Sequence, residues 1–215
     1  MSEASQADPK TRLSQSIGSF AELVAAATPT PGGGSVSAYC GVLAASLGQM
    51  VCAITISKPK YATVEPRLKE ISSKLEQTGS RLRELITEDA ESFEDVLRAY
   101  RLPKETEDEK KQRSAEIQKA LQSAIAVPFE TAESSLDVLI LLGEIAEIGI
   151  PSALSDVAVG PQLALVAAKG ASYNVGANLG SITDSESANK TRGAMDDIVR
   201  QAGTIAAEVE AKMKM

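Results

Sequence analysis

An uncharged run from residue 36 to 56, entered through Thr28-Pro29-Thr30-Pro31-Gly32-Gly33-Gly34-Ser35, constrains this chain more than any other segment. A helix without charge on any face needs cover on every side. The run therefore demands a fold that wraps neighbours around it, and its small side chains let those neighbours come close. At the entrance two prolines forbid helix and three glycines permit unusual backbone angles, so the chain turns sharply there. Ser35 is then placed to cap the helix. Gly32, Gly33 and Gly34 leave bare N–H groups at the helix start, a seat for an anionic group of a ligand. A plain loop ahead of a core helix accounts for the same residues. A nucleotide-type phosphate loop does not fit, because no Lys follows the last glycine.

At 215 residues the chain is long enough for one domain with a real core. The expected layout is a flexible tail over residues 1–11 and one helical domain over 12–215. Aromatics are only 3% and Trp is absent, so Ala, Leu, Ile and Val must fill that core, which favours closely packed helices. A net charge of −7, with no basic stripe and no aromatic platform, argues against a nucleic-acid partner. Lys58 and Lys60 are the best local basic pair for an anionic small ligand. The first dozen residues are polar and lack an apolar signal core, so a cytoplasmic protein is expected. Ser37, Ser46, Gln49 and Thr55 lower the hydrophobicity of the 36–56 run, and no membrane span is expected. Cys40 and Cys52 lie about 18 Å apart at helical rise, too far to bond each other. They are expected to be buried thiols of a reducing compartment. With no histidine and no paired-Cys motif, neither a metal nor a cofactor is expected.

Hydrophobic spacing gives helices throughout and no strand-like alternation. The expected helices cover residues 12–27, 36–57, 63–100, 105–127, 128–149, 152–179 and 184–214. Lys58-Pro59-Lys60, Leu102-Pro103 and Ile150-Pro151 punctuate them, and Pro128 separates or kinks the fourth and fifth. The fold class is all-α, an up-and-down bundle of about six or seven helices. Residues 36–56 and 163–179 are nearly uncharged apart from Lys169, and one chain of this size can hardly surround both. An intertwined homodimer that buries them is the expected solution.

Without histidine, any general acid or base must be Asp, Glu, Lys, Tyr or Cys. Along residues 63–100 the apolar stripe comprises Leu82, Leu85, Ile86, Phe93, Val96, Leu97 and Tyr100. Steps of three and four along it land on Asp89. Glu88, Glu91 and Glu94 fall on other faces, among charged and small polar neighbours. A carboxylate on an apolar stripe loses water, and its pKa rises. It then serves either as a poised acid or base, or as the partner of a buried cation or helix end. Asp156, in Ser155-Asp156-Val157, is a second candidate, although Ser-Asp at a helix start is also ordinary capping. Asn174 and Asn178 share a face at i, i+4 and either bridge helices or read the polar edge of a heterocycle. Asp156 and Asn174 are about 27 Å apart along a straight helix, so one site holding both needs a bend or a second subunit.

Five motifs occur in order: Thr30-Pro31-Gly32-Gly33-Gly34-Ser35, Asp89-Ala90-Glu91-Ser92-Phe93, Tyr100-Arg101-Leu102-Pro103-Lys104, Ser155-Asp156-Val157, and Asn174-Val175 followed by Asn178-Leu179. In these the chain resembles the cyclodeaminase/cyclohydrolase family of folate one-carbon enzymes, from about residue 20 to 209. The resemblance implies an all-helical homodimer with folate in a cleft near the subunit interface. It implies cyclisation of 5-formiminotetrahydrofolate with loss of ammonia, or interconversion of 5,10-methenyl- and 10-formyltetrahydrofolate by water. It makes Asp89 the acid/base candidate. Under it, residues 32–35 supply backbone donors, Lys58 and Lys60 attract the glutamyl carboxylates, and Asn174 and Asn178, with Asp156, face the pterin. The alternative is a non-catalytic helical dimer that binds folate or a partner protein.

Overall fold

The computed structural model describes residues 17–213. The tail expected over residues 1–11, and the first residues of the helix expected from 12, lie outside the described part. Among the described residues six α-helices follow one another: α1 (Ile17–Ala25), α2 (Gly33–Ile56), α3 (Glu65–Tyr100), α4 (Glu107–Ile148), α5 (Leu154–Leu179) and α6 (Ser185–Met213). Short 3-10 turns at Pro59–Tyr61 and Pro151–Ala153 join α2 to α3 and α4 to α5. No strand occurs among them.

From α2 to α6 the bundle runs up and down, and the uncharged helix is its centre. Leu82 and Leu75 of α3 fill the space over Gly41 and Gly48 of α2, while Leu142 of α4 meets Gly48 from another side. A Cβ on Gly170 of α5 would lie 2.1 Å from Ser37 Oγ, so α5 crosses α2 almost backbone to backbone. Half of α2 is buried in this way. It is long and apolar enough to cross a membrane, and here it occupies the position of a core helix. Burial pushes the Cys52 thiol up to about 11, consistent with an inert core residue. The outward side of α2 is a different matter. Leu43, Met50 and Ile54 are exposed there, and Val159, Val166 and Tyr173 are exposed on α5, which packs against α2. Tyr173 is 75% exposed and Val166 54%.

Charge pairs stitch α3 to α4 on the solvent side. The Arg67 guanidinium donates to both oxygens of Glu144, and Arg81 donates to Glu88 and Glu130. At the start of α4 the Glu109 N–H donates to Thr106 Oγ1 and the Thr106 N–H donates back to the Glu109 carboxylate, a reciprocal cap.

Two local expectations are corrected. Of the two readings of Pro128, separation is overturned: α4 runs unbroken through it. A proline removes one hydrogen bond to the carbonyl four residues back. Here that carbonyl belongs to Ala124, and the Asn178 side chain donates to it at 2.8 Å. Ser35 does not cap α2. The helix starts two residues earlier, with Gly32 in the capping position and no side-chain cap, which leaves Ser35 wholly buried in the first turn.

Candidate active site

The site forms where α2 begins, because three other helices converge on that end. The chain enters over Pro29 and Thr30. The Thr30 hydroxyl donates to Glu94 at 3.5 Å, which ties the loop to α3. In the first turn of α2 the N–H groups have no partner within the helix. The first intrahelical bond is from Val36 N–H to Gly32 O. Opposite this turn stands Asp89, in the middle of α3 and on its apolar stripe. Leu85 and Ile86 below it are buried, and Phe93 above it is partly exposed at the cleft mouth.

Asp89 lies against Gly34 so closely that a Cβ there would sit 2.0 Å from Oδ1 and 2.7 Å from Oδ2. No side chain fits between them, and that close approach is what this glycine provides. The Ser35 hydroxyl is 2.9 Å from Asp89 Oδ2 and 3.0 Å from the Ile86 carbonyl oxygen. Burial raises the Asp89 carboxyl above its usual range, and the hydrogen bonds from the Ser35 hydroxyl and amide pull against that rise. A positive helix N-terminus also favours the carboxylate.

From the other side come the two asparagines of α5. Asn178 Nδ2 donates to Ala124 O at 2.8 Å and to Asn174 O at 3.1 Å, and Asn174 Nδ2 donates to Gly170 O at 2.9 Å. Their amide nitrogens are thus tied to backbone, which leaves the side-chain oxygens as acceptors for a ligand. Asp89, these amides, the start of α2, Ser92, Phe93 and Ala124 enclose a cleft of about 130 Å³. Asp89 is the titratable group among the lining residues. One acid beside bare N–H donors and amide acceptors can move a proton at a polar, nitrogen-rich ligand.

The same architecture recurs in known proteins. The formiminotransferase-cyclodeaminase family model matches residues 16–197. The chain belongs to this family. Methenyltetrahydrofolate cyclohydrolase of Methylorubrum extorquens is 35% identical over 191 residues, covering 89% of this chain and 92% of that protein. Formimidoyltransferase-cyclodeaminase of Rattus norvegicus is 32% identical over 197 residues, covering 92% of this chain and 36% of that protein. The chain therefore spans about a third of that longer relative. The crystal structure of formiminotetrahydrofolate cyclodeaminase from Thermotoga maritima superposes with a TM-score of 0.77 at 29% identity, covering 93% of this chain and 94% of that one.

In this member of the family, the structure brings together Asp89, Gly32, Gly33, Gly34, Asn174 and Asn178 at one cleft. Ser35 sits behind the cleft wall, on Asp89 and not on the open space. Lys58, Lys60 and Asp156 do not join them within one protomer. Lys58 and Lys60 follow the far end of α2, about 37 Å from its start at helical rise, and Lys60 Nζ lies 4.9 Å over the Tyr61 ring. Asp156 is in the first turn of α5, at that same far end, where the Ile150 N–H donates to Thr55 Oγ1. Ala124 and Pro128 were missed by sequence reading. A signal for them existed: a proline inside a helical pattern frees the carbonyl four residues earlier, and a freed carbonyl seeks a donor.

Proposed function

We propose that this chain is a folate one-carbon enzyme that works at the N5–N10 bridge of tetrahydrofolate. Methenyltetrahydrofolate cyclohydrolase activity is the first expectation, and formiminotetrahydrofolate cyclodeaminase activity the second. The observation that carries this reading is the placement of Asp89, a half-buried carboxyl pressed on Gly34 at the start of α2 and the one titratable group among the described residues that line the cleft. The names of the relatives matched over nearly their full length supply the substrate class.

In hydrolysis, the Asp89 carboxylate takes a proton from water as the water oxygen bonds to the cationic methenyl carbon. The bond from that carbon to N5 then breaks. Asp89 returns its proton to N5, and the carbinol hydroxyl becomes the formyl carbonyl and releases its proton to solvent. Before that proton moves, the negative charge of the carboxylate favours binding of the methenyl cation. In cyclodeamination, N10 attacks the carbon of the protonated formimino group, the Asp89 carboxylate takes the N10 proton and hands it to the resulting amine, and the bond from carbon to that amine breaks to release ammonia. The acceptor oxygens of Asn174 and Asn178 suit the N–H groups of a pterin ring.

A cleft of about 130 Å³ in one protomer is smaller than the roughly 300–1,000 Å³ of most small-molecule sites. The exposed apolar rows of α2 and α5 lie on the same two helices that supply Gly32–Gly34 and the asparagines to the cleft. We therefore propose a homodimer in which a second copy covers these faces and enlarges the site. The test of function is turnover of 5,10-methenyl- and 5-formiminotetrahydrofolate by the purified chain. The methenyl compound absorbs near-ultraviolet light and its hydrolysis product does not. Turnover of at least one substrate, lost in Asp89→Asn, is the expected result. If wild type converts neither, the enzyme reading is wrong and a folate-binding dimer takes its place.

A further inference from the structure

We propose that Ser35 is a positioning residue that reverses its hydrogen bond each time Asp89 gains or loses a proton, so that the carboxyl is fully bonded in both states. This rests on Asp89 being the acid and base of the proposed reaction.

The geometry sets the problem. Ser35 Oγ carries one proton and has two acceptors within reach, Asp89 Oδ2 at 2.9 Å and Ile86 O at 3.0 Å. One proton serves one of them well at a time. With Asp89 ionised, the proton belongs on the carboxylate, because a bond to a charged acceptor is about twice as strong as a neutral one. With Asp89 protonated on Oδ2, the acid O–H becomes the donor, Ser35 Oγ the acceptor, and the Ser35 proton swings to the Ile86 carbonyl. No atom moves except hydrogen. Ser35 is wholly buried, so water cannot substitute for either bond, and an unmet buried group is costly.

Among the described residues lining the cleft, no charged side chain competes for this role. α2 offers Gly34 and Ser35, α4 offers Ala124, α5 the two amides and the entry loop Thr30. On α3 itself the flanking acids are engaged elsewhere, Glu88 with Arg81 and Glu94 with Thr30. The contact with Gly34 and the bond to Ser35 hold the carboxyl in one orientation. Ser35 thereby keeps Asp89 in place in both protonation states while only hydrogens move.

The test needs no substrate. In protein labelled with carbon-13, the Asp89 carboxyl and the Ile86 carbonyl resonances are followed against pH. The expected result is one shared midpoint, because Ile86 gains the Ser35 proton only when Asp89 is protonated. In Ser35→Ala the Asp89 midpoint rises by about one pH unit, since the charged form loses the stronger bond. The Ile86 response loses most of its amplitude. A flat Ile86 resonance in the wild type overturns the proposal even if the variant does not fold. An equal Ile86 amplitude in the variant, or an unmoved Asp89 midpoint, overturns it as well. Failure of these titrations removes the relay alone. Titrations as expected in a protein that converts neither folate would keep the relay and remove the proposed reaction.

Discussion

At the scale of single residues, the contact of Asp89 with Gly34 governs the site. In Gly34→Ala the new methyl must displace the carboxyl, because Oδ1 lies 2.0 Å from its position. The expected cost is about 1–3 kcal/mol of stability, as for other overpacked sites. A carboxyl misplaced by about 1 Å should also lower turnover roughly 100-fold. Urea melts and kcat/KM measure the two effects. Asp89→Asn separates stability from activity. Burial raises the folded carboxyl above its ordinary value, while in the unfolded chain it titrates near about 3.9. Between those two values the folded protein holds a proton that the unfolded chain has lost. Stability therefore falls as pH rises through this window and levels off above it. The asparagine variant lacks that loss. It should melt above wild type near neutrality, with the excess vanishing toward about pH 4, while turnover falls by about 10²–10⁴. A lower melting temperature at neutral pH would mean that the α2 N-terminus stabilises the carboxylate by more than burial costs. Asp89 was legible in the sequence because a 3.6-residue period assigns every position on α3 to a face. Ser35 was legible as important but not in its role. A cap and a third helical residue differ by a few positions, and three glycines in a row do not say which of them starts the helix.

Among the elements, α4 shows how a local rule is overridden. Proline weakens a helix interior by about 3 kcal/mol, so a break at residue 128 is the sound expectation from sequence. The break is avoided because Asn178, 54 positions after Ala124, bonds the Ala124 carbonyl that the proline orphans. No window of local sequence contains both partners. The arrangement couples helix continuity to the site: the same bond that completes α4 fixes the amide that lines the cleft. In Pro128→Ala the Ala124 carbonyl regains a helical N–H, and Asn178 must share its acceptor. The expected outcome is a protein as stable as wild type or more so, with KM raised several-fold and kcat changed little. That split is read from Michaelis curves beside thermal melts. A rise in KM without the gain in helix stability would place the effect of Pro128 on backbone shape and not on Asn178. The spacing of Asn174 and Asn178 was readable, and it placed both on one face. The partner across the bundle was not, because spacing along one helix carries no information about which helix it meets.

At the scale of the molecule, the sequence argument that two uncharged helices need more cover than one chain provides is met only in part by the bundle. The inner side of α2 is sealed by α3, α4 and α5, yet Leu43, Met50 and Ile54 on its outer side remain exposed together with Val159, Val166 and Tyr173 of α5. Exposed apolar residues repeated along one face of each of two packed helices mark an interaction surface more often than a chance patch. The uncharged stripe of α2 can face its own copy without like-charge repulsion, as a two-fold interface requires. The placement of Lys58, Lys60 and Asp156 at the opposite end of the bundle from Asp89 follows from the same length of helix. Sequence order along α2 and α5 cannot tell which residues share an end until the up-and-down path is known. Met50→Lys tests the dimer directly. Met50 is 38% exposed in the single chain, so a lysine there should leave helix content unchanged. Across a two-fold seam the same change brings two ammonium groups into an apolar contact, and association should weaken at least 100-fold, about 2.7 kcal/mol. Sedimentation should find two chains in the wild type and one in the variant. If the second copy also enlarges the cleft, the monomeric variant should lose folate turnover while keeping its melting transition. Equal activity in the two forms would confine the site to one protomer, and a wild type that sediments as a single chain would leave the α2 stripe without its proposed partner.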